Sequence, residues 1–95
     1  MTVEHRRGTR DAQGRVYELP LGHVAECLES ENRWQDACLM GMSDSPEWFE
    51  GEVAARVRLA GGEMWVVAPK GTRPTPEEVR RATAFLGPAA GVEVR

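Results

Sequence analysis

The sequence predicts an α+β domain in which one antiparallel sheet carries two helices on the same face. Three observations lead to this class. Alternating apolar segments flank Gly61-Gly62, a helix with a complete capping pattern begins near Thr75, and apolar residues recur at helical spacing between residues 22 and 41. Segments of both periods in one short chain are typical of a small α+β domain.

Length and composition define the class of protein further. A chain of 95 residues predicts a single domain over residues 1–95, and a net charge of −3 gives no global attraction to nucleic acid or anionic membrane. No apolar run approaches the roughly 20 residues that span a bilayer, and the first ten residues do not resemble a signal peptide. We therefore expect a cytoplasmic protein with Cys27 and Cys38 as thiols. One lysine against eleven arginines is typical of a bacterial or phage protein from a GC-rich genome.

The N-terminal part of the chain predicts a turn and a strand. The turn covers residues 11–14, and the alternation of apolar and polar residues over 15–19 predicts a strand that contains Tyr17. Residues 1–14 are expected to form either an extra edge hairpin strand or a flexible arm.

Residues 22–41 predict a helix. Its apolar stripe consists of Val24, Cys27, Leu28, Trp34 and Cys38. Ser30 and Asn32 favour helix caps over helix interiors, so two short helices that meet near Asn32 are the alternative. Residues 45–51 then predict one helical turn that inserts Trp48 or Phe49 into the core.

The segment around Gly61-Gly62 predicts a β-hairpin with these two glycines as its turn. That register pairs Arg58 with Trp65. Side chains alternate along a strand, so one face is apolar and is expected to pack on the core. Its members are Val53, Ala55, Val57, Leu59, Met64, Val66 and Ala68. The other face carries Arg56, Arg58, Trp65 and Val67.

The last part of the chain predicts a helix over residues 76–86 and a strand over 92–94. Thr75 is the N-cap, Pro76 is the first helical residue and Glu78 completes a capping box. Gly87-Pro88 ends the helix. The element order strand, helix, strand, strand, helix, strand then predicts a ferredoxin-like split βαββαβ sandwich, with another small α+β roll as the alternative.

The face with Arg56, Arg58, Trp65 and Val67 is the candidate functional surface, because a ferredoxin-like fold leaves one sheet face without helices. Tryptophan, tyrosine and arginine are enriched at interface hot spots, and Tyr17 is a secondary member. We expect a small protein, not an enzyme, that binds another protein or a second copy of itself as an accessory, inhibitory or structural subunit. A solvated face, or one covered by the N-terminal arm, is the alternative.

Other residue groups support weaker hypotheses, and none predicts a cofactor. A helix would place His23 and Cys27 on one face near Cys38, which makes them weak candidates for a metal site. Lys70, Thr72 and Arg73 lie in the loop 69–75 before the last helix and are candidates for anion binding, with a possible enzymatic role. The basic segment 5–10 is a candidate for nucleic-acid contact, although its lack of aromatic residues disfavours that use.

Overall fold

The computed structural model describes residues 1–28, 31–42 and 46–94, and the side chains within these ranges except those of residues 26–28 and 31–33. A single mixed sheet contains six strands in the order β1-β2-β3-β5-β4-β6. The strands are β1 Thr2–His5, β2 Leu21–Leu28, β3 Glu31–Leu39, β4 Glu52–Leu59, β5 Gly62–Ala68 and β6 Gly91–Val94. Helix α1 spans Pro76–Ala82, and a 3-10 turn spans Ala84–Leu86.

The predicted ferredoxin-like fold is wrong, because the segment expected to form the first helix forms two strands. β2 and β3 pair antiparallel, with Leu21 opposite Cys38 and Ala25 opposite Trp34. β3 then pairs in parallel with β5, and Cys38 lies opposite Val66. The described part of the chain is therefore mostly sheet, with one short helix.

The run Ala37-Cys38-Leu39 explains why a strand forms here. All three residues are fully buried, although successive side chains of a strand point to opposite faces. Such a run suits a central strand that is covered on both sides. The burial of these side chains between β2 and β5 outweighs the helical propensity of the surrounding residues.

The sheet has an apolar cluster on each face. On the first, called the helix face, Cys38, Val57 and Val66 pack with Val79 of α1. On the opposite, second face, a smaller cluster is formed by buried and half-buried residues of β2, β3, β5 and two loops. Its members are Ala37, Leu39, Val67, Met1, Val24, Met42, Phe49 and Trp65.

The β4–β5 hairpin exists, but its turn lies one residue earlier than predicted. Leu59 pairs with Gly62, so that Ala60 and Gly61 form the turn and Trp65 lies opposite Arg56 instead of Arg58. Gly62 has a φ of +139°, a conformation that favours glycine. Moving a turn by one residue shifts the pairing by two, so each side chain stays on the predicted face.

Val53 is an exception to the predicted faces. The pairing of β4 with β5 is interrupted between Val53 and Ala55, and Val53 lies opposite Val67. The extra residue, Ala54, changes which way the start of the strand points. Val53 therefore lines the same small cavity as Val67, Phe49 and Met1 on the second face.

The predicted helical turn over 45–51 is wrong for residues 46–51, which form an extended segment along β1. Ser45 lies outside the described residues. The Val3 N–H donates to the Glu47 carbonyl (2.9 Å), and the Phe49 N–H donates to the Met1 carbonyl (2.9 Å). These hydrogen bonds hold residues 47–49 against β1. Phe49 packs into the second-face cluster, whereas the side chain of Trp48 is 63% exposed.

The predicted turn over 11–14 is confirmed, and the predicted strand over 15–19 is wrong. The Asp11 carboxylate accepts hydrogen bonds from the backbone N–H groups of Gln13 (2.9 Å) and Arg15 (2.8 Å). Beyond this turn, only an isolated bridge pairs Val16 with Arg10. β1 forms from residues 2–5 instead and lies beside β2.

The C-terminal predictions are largely confirmed. Thr75 and Glu78 form the reciprocal capping box, and Pro76 is the first helical residue. The helix is shorter than predicted because Thr83 ends it, and the 3-10 turn follows. The predicted strand over 92–94 corresponds to β6. No helix within the described residues has the length and apolar character needed to cross a membrane.

Gly22 provides a test of the β1–β2 contact. A Cβ atom at this position would overlap the backbone carbonyl of Thr2, whereas one at Gly61 would meet no atom within 4 Å. We expect Gly22→Ala to lower the free energy of unfolding by about 1–3 kcal/mol through overpacking. Gly61→Ala is the matched control and should change it by less than about 0.5 kcal/mol. Equal denaturation midpoints for both variants would contradict the close approach of β1.

Phe49 and Trp48 provide a test of how the second face is covered. Phe49→Ala removes a ring from the second-face cluster and should cost about 1–3 kcal/mol, whereas Trp48→Ala removes an exposed ring and should cost less than about 0.5 kcal/mol. Urea denaturation followed by circular dichroism measures both. A larger loss for Trp48→Ala would show that the segment 46–49 lies in the reverse orientation.

Candidate protein-interaction surface

Three of the predicted surface residues lie together on the second face of the β4–β5 hairpin. Arg56 lies opposite Trp65, and Arg58 lies opposite Glu63. Both arginines and Glu63 are exposed, and Trp65 is half-buried. We call the group Arg56, Arg58, Glu63 and Trp65 the Arg–Trp surface.

The indole of Trp65 is fixed by its neighbours. The guanidinium carbon of Arg56 lies 5.4 Å from the centroid of the ring, which is a cation–π contact worth about 0.5–1 kcal/mol at an exposed site. The Trp65 Nε1–H donates to Oε1 of Glu63 (3.2 Å), and the same oxygen lies 3.7 Å from Nε of Arg56. One carboxylate therefore orients both the indole and the guanidinium group. The predicted stacking partner was Arg58, and the displaced turn explains the change.

Val67 does not belong to the exposed surface. Only 4% of this residue is exposed, because it packs with Ala37 and Leu39 beneath Phe49 and Met1. The chain therefore covers the part of the second face near β3 with its own residues. This cover ends at Trp65. The Trp65 side chain packs against the second-face cluster and also contacts Arg56.

Tyr17 lies apart from the Arg–Trp surface. Its ring stacks on His5, with the ring centroids 4.7 Å apart and the planes at 12°. Its backbone N–H donates to the Thr9 carbonyl, which places it in the loop that precedes β2. The sequence linked Tyr17 to Trp65 through a strand over 15–19 that does not form.

Strand β6 continues the second face beyond β4. Glu93 lies opposite Arg56, and Gly91 lies opposite Arg58. The exposed side chains of β4 and β6 line an open groove together with Glu63. Glu63 and Glu93 were not among the residues predicted for this surface. Residue parity within the hairpin would have placed Glu63 beside the arginines, but the position of β6 depends on the topology of the whole sheet.

The weak metal candidates do not form one cluster. The Nδ1 atom of His23 lies 2.6 Å from Oε1 of Glu4, and its ring stacks on Trp34 with the centroids 4.0 Å apart. Cys38 is fully buried in the helix-face cluster. The side chain of Cys27 lies outside the described residues. Among the described residues, no three His, Cys, Asp or Glu side chains are arranged to hold a metal ion.

The candidate anion-binding residues lie in an exposed turn. The Thr72 N–H donates to the Pro69 carbonyl (3.0 Å), and Lys70, Thr72 and Arg73 are all exposed. The N–H groups at the start of α1 are engaged locally, since the Glu78 N–H donates to the Thr75 hydroxyl. The loop therefore presents its cationic side chains on an exposed surface.

The basic N-terminal segment contacts the chain itself. Nη2 of Arg6 lies 3.7 Å from Oε1 of Glu47, and Nη1 of Arg10 donates to the Gly14 carbonyl (3.0 Å). Arg7 also has an interaction within the chain. These contacts join the segment to the loops around β1, and the hypothesis of nucleic-acid contact stays a prediction.

Trp34 is an exposed residue that the sequence analysis placed in a buried stripe. It lies on the helix face of β3, and 67% of the residue is exposed. Helix α1 lies mainly over β4 and β6 on this face. Residues 34–37 do not alternate between apolar and polar types, so no period-two signal distinguishes this strand from a helix in the sequence.

A scan against protein-family models found no match for this chain, and searches of curated proteins and of solved structures found no significant match. The surface chemistry of the described residues is therefore the basis on which we propose a function.

Burial determines the chemistry of Cys38. Loss of hydration raises the pKa of its thiol from 9.0 to about 12.

Ellman's reagent tests this burial. At pH 8 we expect it to titrate the same number of thiols in the folded wild type as in the folded Cys38→Ala variant. After unfolding, the wild type should give one more reactive thiol than the unfolded variant. Because the folded pKa is the higher one, the stabilisation from the neutral thiol is complete below pH 9 and is lost as the pH rises toward 12. A native-state titre that falls in Cys38→Ala would contradict this burial.

Proposed function

We propose that this is a small protein without enzymatic activity that acts by binding another protein chain through the Arg–Trp surface. The observation that carries the proposal is the state of Trp65: a large aromatic side chain, held by Arg56 and Glu63, at the point where the chain's own cover of the second face ends. Accessory, inhibitory and structural-subunit roles all use this binding activity.

The residue types of the surface support protein binding. Tryptophan and arginine contribute disproportionately to binding energy when a partner excludes water from them. Both arginines project from β4 and Trp65 projects from β5, so they are presented by paired strands and not by a loop. A rigid surface loses less conformational entropy on association than a mobile one. Trp65 is therefore the anchor of the proposed contact.

The charges of the surface indicate the chemistry of the partner. Arg56 is close to Glu63, whereas Arg58 has no ion pair among the described residues. A partner that places a carboxylate near Arg58 and an apolar side chain on the exposed part of Trp65 would complement the surface. Such a partner is either a different protein or a second copy of this chain.

Site-specific photo-cross-linking tests the proposal. We would replace Trp65 by p-benzoyl-phenylalanine, which keeps an aromatic group at the position, and irradiate the purified protein and an extract of its source cells. The expected result is a defined adduct from position 65. An adduct of twice the chain mass in the purified sample would identify self-association, and an adduct only in the extract would identify a different partner.

Trp34 provides the matched control for this experiment. It is an aromatic residue on the opposite face of the sheet, and it is more exposed than Trp65. Non-specific collisions would therefore cross-link the same probe at position 34 more efficiently than at position 65. No adduct from position 65, or equal adducts from both positions, would refute binding through the Arg–Trp surface.

A further inference from the structure

The two edges of the sheet differ in how they are protected. At the β1 edge, the segment 47–49 hydrogen-bonds to Met1 and Val3 and occupies the outer side of the strand. At the other edge, β6 pairs with β4 on its inner side, and no described strand pairs with its outer side. An open edge presents backbone donors and acceptors to another strand. The β6 edge is also continuous with the Arg–Trp surface, since Glu93 and Arg56 are paired neighbours.

We propose that β6 pairs antiparallel with β6 of a second copy of this chain, with the two-fold axis at Val92. This inference goes beyond the proposed function, because β6 lies two strands away from Trp65 and pairing at this edge does not involve the indole. A two-fold axis at Val92 places Val92 opposite Val92 and Glu93 opposite Gly91 of the second copy. The two sheets then join into one continuous sheet.

Charge complementarity selects this register. Within one copy, a row of side chains across the second face contains Glu63, Arg58 and Gly91. Across the proposed axis the row continues with Glu93 and Arg56 of the second copy. The charged members of the row therefore alternate in sign, and symmetry repeats the row on the other side of the axis. An axis at Glu93 would instead bring two carboxylates directly opposite each other, which is unfavourable.

Gly91 allows the two charges to meet. A Cβ atom at Gly91 would contact nothing within 4 Å, so no side chain separates Arg58 from the edge of the sheet. Adjacent strands lie about 4.8 Å apart, so Arg58 and Glu93 of the second copy are separated by about 10 Å between Cα atoms. Two long side chains span that distance. Both residues are exposed, and no ion pair engages either of them among the described residues.

The helix face is compatible with the same pairing. Val92 and Val94 are half-buried and pack against the helix-face cluster, so the pairing of Val92 with Val92 extends an apolar layer. The strand has only four residues, however, and the contact is smaller than that of a typical stable dimer. We therefore expect a weak dimer, whose population rises with concentration and falls with added salt.

A charge-swap experiment tests the proposed axis. Sedimentation equilibrium over a series reaching millimolar concentration should show dimers of the wild type. Glu93→Arg places like charges in both rows, and so does Arg58→Glu, so each variant alone should dimerise at least about tenfold more weakly. Mixing the two variants should restore the dimer, because both rows of the mixed pair then join opposite charges. Recovery on mixing also shows that both variants are folded.

Glu18→Arg and Arg73→Glu are the matched controls. They make the same changes of charge at exposed positions outside β4 and β6, and they should leave dimerisation unchanged. A monomeric wild type at all concentrations would overturn the inference, as would swap variants that dimerise normally or do not recover on mixing. The proposed function is judged separately, because an adduct from position 65 would establish binding through the Arg–Trp surface even if β6 pairs with nothing.

Discussion

The structure depends on the parallel pairing of β3 with β5, which places two strands with apolar residues on both faces at the centre of the sheet. Cys38 and Val66 face the side of α1, whereas Leu39 and Val67 face the other side. Each of these residues is buried, so both faces need a covering layer. Burial of such side chains is the main favourable contribution to the free energy of folding. A sheet with one bare face would expose the apolar side chains of that face to water.

The unequal covering of the two faces explains the location of the candidate surface. Helix α1 covers β4 and β6 on the helix face, whereas Phe49 and Met1 cover the second face near β3 and β5. The second face of β4 and β6 is left to exposed charges and to one side of Trp65. The same asymmetry leaves the β6 edge open while the β1 edge is covered. The surface and the edge are thus adjacent, and both result from the small area that one short helix covers in the described part of the chain.

Local patterns predicted the elements that depend on local chemistry. The capping box at Thr75 and the turn at Asp11 were predicted because their hydrogen bonds join residues a few positions apart. The face of Trp65 was predicted correctly despite the displaced turn, because the displacement preserves residue parity. Prediction failed for residues 22–41, where apolar residues recur at helical spacing and the pairing with the distant strand β5 favours strands. Val67 and Tyr17 were misplaced because their surroundings depend on distant segments, which no local pattern specifies.

Backbone chemical shifts measured by NMR test the central pairing most directly. We expect strand-type Cα and Cβ shifts through residues 21–28 and 31–39, together with backbone NOEs between the neighbours of Cys38 and those of Val66 in a parallel arrangement. Helical shifts over residues 22–41, without contacts between residues 37–39 and 65–67, would contradict this pairing. In that case the two-sided core, its unequal covering and the location of the candidate surface would all have to be abandoned.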